Sequence, residues 1–148
     1  MSTPVADNVE LFQGGSGSET YPQNIIVKSS TWSVFKSGGK LLIKEYGESY
    51  ASYLRLSVTS YSLSNARKTD GSFYDDRFWV WYVDTLKNLT LLEIEPFSSL
   101  SPTIHLTKAI TSNVSSVNAY LQENDVIRVT VLYDTAPKEL KVLKYSDR

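Results

Sequence analysis

The 148 residues suffice for one domain with its own core; with no cysteine, they exclude disulfides, thiolate metal sites and a cysteine nucleophile. Fifteen Lys and Arg against sixteen Asp and Glu give a formal net charge of −1, without the cationic face that sequence-independent nucleic-acid binding needs. No apolar run approaches the roughly 20 residues of a spanning helix, and the polar N-terminus shows no signal-peptide pattern, so the chain is expected to be soluble, without membrane insertion.

Residues 1–20 are polar and rich in small residues, and Gly14 to Ser18 is a flexible composition. Leu11-Phe12-Gln13-Gly14 resembles the recognition site of picornaviral 3C-type proteases, with Gly15 where a proline is usual, and the tract after it resembles an engineered linker. The segment is set aside from the fold as an arm. If it is natural, Val9, Leu11 and Phe12 are its candidate anchors on a neighbouring subunit.

A β-domain is expected over 21–136. Ile25-Ile26-Val27 is a short apolar strand, and Thr31 to Phe35 and Leu41 to Tyr46 form a hairpin around Gly38-Gly39. Ser49 to Leu63 alternates, with Leu54, Leu56 and Val58 on one face and Arg55, Ser57 and Thr59 on the other, so it reads as a strand with one wet side. Ser64 to Asp76 reads as a long polar loop in which Phe73-Tyr74 packs down.

The organising stretch follows. Phe78-Trp79-Val80-Trp81-Tyr82-Val83 is an unbroken run of bulky residues, rich in aromatic and β-branched types, and too short to span a membrane. Alternation sends Trp79, Trp81 and Val83 to one side and Phe78, Val80 and Tyr82 to the other. A two-layer sandwich has one inner face per sheet. The second face therefore needs another layer, a neighbouring subunit or a ligand.

Leu89 to Glu95 is the next strand, ended by Pro96; Thr103 to Thr107 is a short one carrying the single histidine, His105. Val114, Val117 and Leu121 stand at helical spacing, so Thr111 to Leu121 is open between one short helix and a serine-rich loop. Val126 to Tyr133 alternates; with the leucine and polar turn before it, it is similar to a late strand of jelly-roll sandwiches. Residues 137–148 form a lysine-rich tail or a lysine-blunted edge strand. Together these predict an all-β fold: an antiparallel, jelly-roll-like sandwich of roughly eight strands with at most one short helix.

Four groups are candidates for chemistry. Trp79, Trp81 and Val83, with Tyr74 and Trp32, would make an interface or a flat platform on which sugar rings stack. Glu93 and Glu95 share a strand face roughly 7 Å apart, a separation inverting glycosidases use, but a solvated face is the plainer reading. Asp70, Asp75, Asp76 and Asp84 lack EF-hand spacing. His105 has no second histidine or cysteine with which to build a zinc site, and phosphate-loop and nucleophile-elbow motifs are absent. No cofactor or metal is expected. The leading expectation is a non-enzymatic structural subunit that forms a homo-oligomer or larger assembly, as in a capsid or decoration protein of a virion, or a surface filament. A carbohydrate-binding module using the aromatic platform is the alternative.

Overall fold

The computed structural model describes residues 23–49, 51–98, 100–122 and 126–145. The arm at 1–20, with Val9, Leu11 and Phe12, lies outside these residues. Ten strands follow one another: β1 (Gln23–Val27), β2 (Ser30–Ser37), β3 (Lys40–Glu45), β4 (Ala51–Arg67), β5 (Phe73–Asp84), β6 (Leu89–Glu95), β7 (Thr103–Thr111), β8 (Val114–Leu121), β9 (Ile127–Tyr133) and β10 (Glu139–Tyr145). β1 to β7 form one seven-stranded sheet in sequence order, and β10-β9-β8 a second sheet. The fold is all-β, antiparallel and sandwich-like, as expected. Neighbours in each sheet are neighbours in sequence, so the described strands form meanders and not the Greek-key crossings of a jelly roll.

The turns explain the first meander. Val27 pairs with Ser30, and Ser37 with Lys40, leaving two-residue loops that need positive φ at both positions. Gly38 and Gly39 adopt φ of 59° and 80° without a Cβ penalty. Lys28 and Ser29 adopt 53° and 61°, a strained choice offset by the contacts Lys28 makes. Its amide donates to Asp75 O at 2.8 Å, and its ammonium group pairs with Glu95 at 3.2 Å.

β4, with 17 residues, is the hinge of the fold. Its first half pairs with β3 and its second with β5, and a bulge between Val58 and Ser60 falls where the partner changes. Bulged strands bend, and here the β1–β3 portion rolls over the β4–β6 portion. The Gln23 side chain fastens the roll, donating to Tyr61 O at 3.0 Å and accepting from Leu63 N at 3.1 Å. Trp32, Val34, Leu41, Ile43, Leu54, Val58, Phe78, Val80 and Leu92 fill the space inside.

A second core lies on the opposite side of β5. Trp79, Trp81, Val83, Leu89 and Leu91 meet Val114, Val117, Ala119, Ile127, Val129 and Val131 of the three-stranded sheet. The molecule therefore has three layers, and β5 is the wall between two cores. The extra cover that the central stretch demands comes from the chain's own C-terminal third.

Two expectations about elements are corrected, and of the two readings of 137–148 the edge strand is the one observed. Ser64 to Asp76 is mostly strand, because β4 runs to Arg67 and β5 starts at Phe73. β8 is a strand and not a helix or loop: a bulge between Val114 and Ser116 brings residues three apart onto the same face, which mimics a helical period. The tail at 137–148 contains β10, paired with β9 through Glu139–Tyr145.

Candidate functional site

The predicted platform is interior. Trp79, Trp81 and Val83 are 0% exposed and Trp32 is 3% exposed. The Trp79 and Trp81 rings meet edge to face, with centroids 5.9 Å apart and planes at 83°, so they are neither flat together nor open to a ligand. Each indole N–H has an internal acceptor: Trp79 donates to Glu93 Oε1 at 3.0 Å, Trp81 to Ser64 Oγ at 2.9 Å and Trp32 to Val27 O at 3.2 Å. Both roles expected of Trp79, Trp81 and Val83, interface and sugar platform, are therefore corrected to core. Tyr74 is half-buried at the rim of the second core, beneath the Arg77 guanidinium at 4.1 Å and the Lys68 ammonium at 5.5 Å.

The wet side expected of β4 is exposed at Arg55, Ser57 and Thr59, but beyond the bulge between Val58 and Ser60 the serines turn to the second core. Ser60, Ser62 and Ser64 stand opposite Val83, Trp81 and Trp79, and Ser62 and Ser64 are buried. Their hydroxyls replace strand pairing for β8. Ala119 N donates to Ser62 Oγ at 2.8 Å, and Val117 N to Ser60 Oγ at 3.1 Å. The free edge of the small sheet is thereby satisfied from within.

Glu93, expected on a solvated face beside Glu95, is the candidate whose surroundings differ most from the sequence reading. It is 0% exposed, not on a solvated face. Oε2 accepts from Arg77 at 3.0 Å, and Oε1 from Trp79. A carboxylate enclosed on all sides, with each oxygen already accepting a hydrogen bond, is out of reach of a substrate proton. The signal was available only across strands, since Trp79 pairs with Glu93 in the β5–β6 register. Burial alone would weaken Arg77's hold on its proton, but the carboxylates of Glu93 and Asp76 outweigh that and raise its pKa.

Glu95 lies at one end of the sheet, salt-bridged to Lys28 and 2.8 Å from His105 Nε2. The His105 contact, helped by Lys28, holds its pKa below the usual carboxylate value. Beside it is a cavity of about 210 Å³ lined by Lys28, Ser30, Trp32, Glu45, Pro96, Phe97 and Ser98. Its polar groups already have protein partners: Lys28 Nζ reaches Pro96 O at 3.0 Å and lies over the Phe97 ring at 3.9 Å, and Ser98 donates to Glu45.

Asp70 and Asp84 are turn formers, while Asp75 and Asp76 lie within β5. Asp70 accepts from the amide and hydroxyl of Ser72, which lowers its pKa, and Asp84 accepts from the amides of Leu86 and Asn88. Among the described residues no group of three or more His, Cys, Asp or Glu is placed to hold a metal ion. No helix among them is long and apolar enough to cross a membrane.

What remains open is an edge. Among the described residues β7 closes one side of the seven-stranded sheet and pairs only with β6. It is nine residues long and mostly exposed, with Ile104 48% exposed. β8 is covered by Ser60 and Ser62 and β1 is short, while β10 carries Lys141 beside exposed Leu140 and Val142. β7 carries a single permanent charge, Lys108. An edge of this length with so little blunting is a template for another strand.

The chain matches no protein-family model, no curated protein and no solved structure. What the geometry defines is therefore a class: a three-layer antiparallel meander with a dry interior and one unblunted edge.

Proposed function

We propose that this protein is a non-enzymatic structural subunit that assembles with copies of itself through sheet edges. The observation that carries the reading is β7, a nine-residue strand with one side unpaired and most of its residues exposed. The second apolar face of β5 does not contribute to this reading, because β8 and β9 cover it. Exposed Leu140 (68%) and Val142 (53%) on β10 add apolar area at a second edge. A shell or decoration protein of a virion, or a surface filament, is the setting this type of fold brings to mind, by analogy alone. The carbohydrate reading loses its support with the burial of Trp79 and Trp81.

Light scattering over a concentration series tests the proposal. The expected result is a mass that rises from the 16.7 kDa of one chain towards multiples of it. A mass fixed at that of one chain up to millimolar concentration overturns it.

A further inference from the structure

The first meander has an inner and an outer face. Val34, Leu41, Ile43 and Leu54 fill the first core, so alternation turns Phe35, Lys40, Leu42, Lys44 and Arg55 to the other side. The register lines these residues up across the strands: Ser33 stands beside Lys44, Phe35 beside Leu42, and Lys40 beside Ser57. Lys40 and Arg55 are exposed, and Phe35, Leu42 and Lys44 are half-buried. Four residues along β3 separate Lys40 from Lys44 by roughly 13 Å, with the Phe35–Leu42 pair between their rows.

The near-zero net charge of the chain hides an imbalance on this face. Among the described residues Lys40, Lys44 and Arg55 are in no salt bridge; the Lys40 ammonium group reaches the Ser57 hydroxyl at 3.2 Å. Elsewhere cations are matched by carboxylates, as in Lys28 with Glu95, Arg77 with Glu93, and Lys87 and Lys138 with Asp134. Between residues 23 and 59 the acids are Glu45 and Glu48. Glu45 pairs with Trp32 on the inner side and accepts from Ser98, and Glu48 lies in the turn from β3 to β4. Like charges gathered without a counter-charge raise the local potential and attract an anion that carries several charges. The sequence total does not show this face, because the antiparallel register, rather than proximity in the chain, gathers its charges.

We infer that the outer face of β2, β3 and the first half of β4 binds single-stranded nucleic acid, with phosphates on Lys40, Lys44 and Arg55 and a base against the Phe35 ring. An aromatic ring set between cations is the chemistry that holds a single strand, because every base has a π face to stack. A duplex keeps its bases stacked on one another and offers such a face only its phosphates. An anionic membrane asks for apolar side chains that stand above the cations, whereas here Phe35 and Leu42 are more buried than Lys40 and Arg55. Binding of this kind is independent of the assembly reading.

The experiment is fluorescence anisotropy of labelled oligothymidylate titrated with the full chain over a series of salt concentrations, beside light scattering of the same samples. Three phosphate contacts on a single strand give log K against log salt a slope of about −2. Lys44→Ala and Arg55→Ala should each make that slope shallower by about 0.7, and Lys108→Ala on β7 should leave it unchanged. Phe35→Leu, which keeps an apolar side chain and removes the ring face, should weaken binding about tenfold with unchanged circular dichroism. No anisotropy change at any salt concentration overturns the inference, as does a slope that neither Lys44→Ala nor Arg55→Ala alters. Equal affinity for the oligoadenylate–oligothymidylate duplex, with no effect of Phe35→Leu, marks a general polyanion surface and overturns it too. So does tighter binding to phosphatidylserine-containing vesicles than to the oligonucleotide. A mass of one chain with binding intact overturns the assembly reading alone.

Discussion

Glu93 is fully enclosed and accepts from both Arg77 and Trp79. Removing one member of a buried ion pair leaves the other uncompensated. Glu93→Ala should therefore destabilise the fold by about 3 kcal/mol, the low end of the range for such pairs because Arg77 retains 17% side-chain exposure. Urea unfolding followed by circular dichroism measures it. Trp81→Ala acts through volume, and a cost of about 3–5 kcal/mol is expected for an indole lost from a core. Both substitutions should weaken the single chain rather than the association between chains. Glu95 is a more exposed case. Its pKa is lowered in the folded state, so its contribution is present above the unfolded carboxylate pKa and is lost as pH falls through the folded one. Glu95→Gln should flatten the acid limb of a melting-temperature profile relative to the unmodified protein, with the difference vanishing at low pH. A parallel offset at every pH would contradict this.

At the level of the strand, β4 and β8 are joined by hydroxyl groups where a sheet would use backbone pairing. Ser62→Ala takes away the acceptor of the Ala119 amide and leaves a buried donor, at a cost of about 1–3 kcal/mol. Hydrogen exchange at the Ala119 amide should accelerate in that variant more than exchange at amides inside the β1–β3 hairpin. The strands also show what a single sequence makes legible. Alternation located β5 and both of its faces, because period-two patterning is local. It also located the β2–β3 hairpin, where two glycines mark the turn. β8 was obscured because one bulged residue converts a spacing of two into three. The burial of Ser60, Ser62 and Ser64 was not legible, because a hydroxyl carries no mark of burial; only the arrival of Val117 and Ala119 from 57 residues away makes them interior. Glu93 was misread for the same reason, with Arg77 arriving on a neighbouring strand. The edge strand β7 was half visible: its first five residues were read as strand, while the alternation that would extend it to Thr111 is broken by the register shifts at His105 and Ile110.

For the whole molecule, all three tryptophans lie inside. Iodide should quench native tryptophan fluorescence weakly and quench it several-fold more strongly after unfolding in urea. Native quenching equal to that of the unfolded chain would contradict the three-layer packing. Because β5 belongs to both cores, neither can be lost while the other is retained intact, and thermal unfolding should proceed in one transition by near-UV and far-UV circular dichroism alike.

The shared wall has a consequence during synthesis. The strands that cover the indole side of β5 are the last three among the described residues, so a polypeptide leaving the ribosome presents Trp79 and Trp81 without that cover until residues 114–145 have emerged. At bacterial to eukaryotic translation rates that interval is roughly a few seconds, long enough for a holdase chaperone to bind. Termination short of β8 would leave a greasy, ribosome-released fragment destined for aggregation or proteolysis.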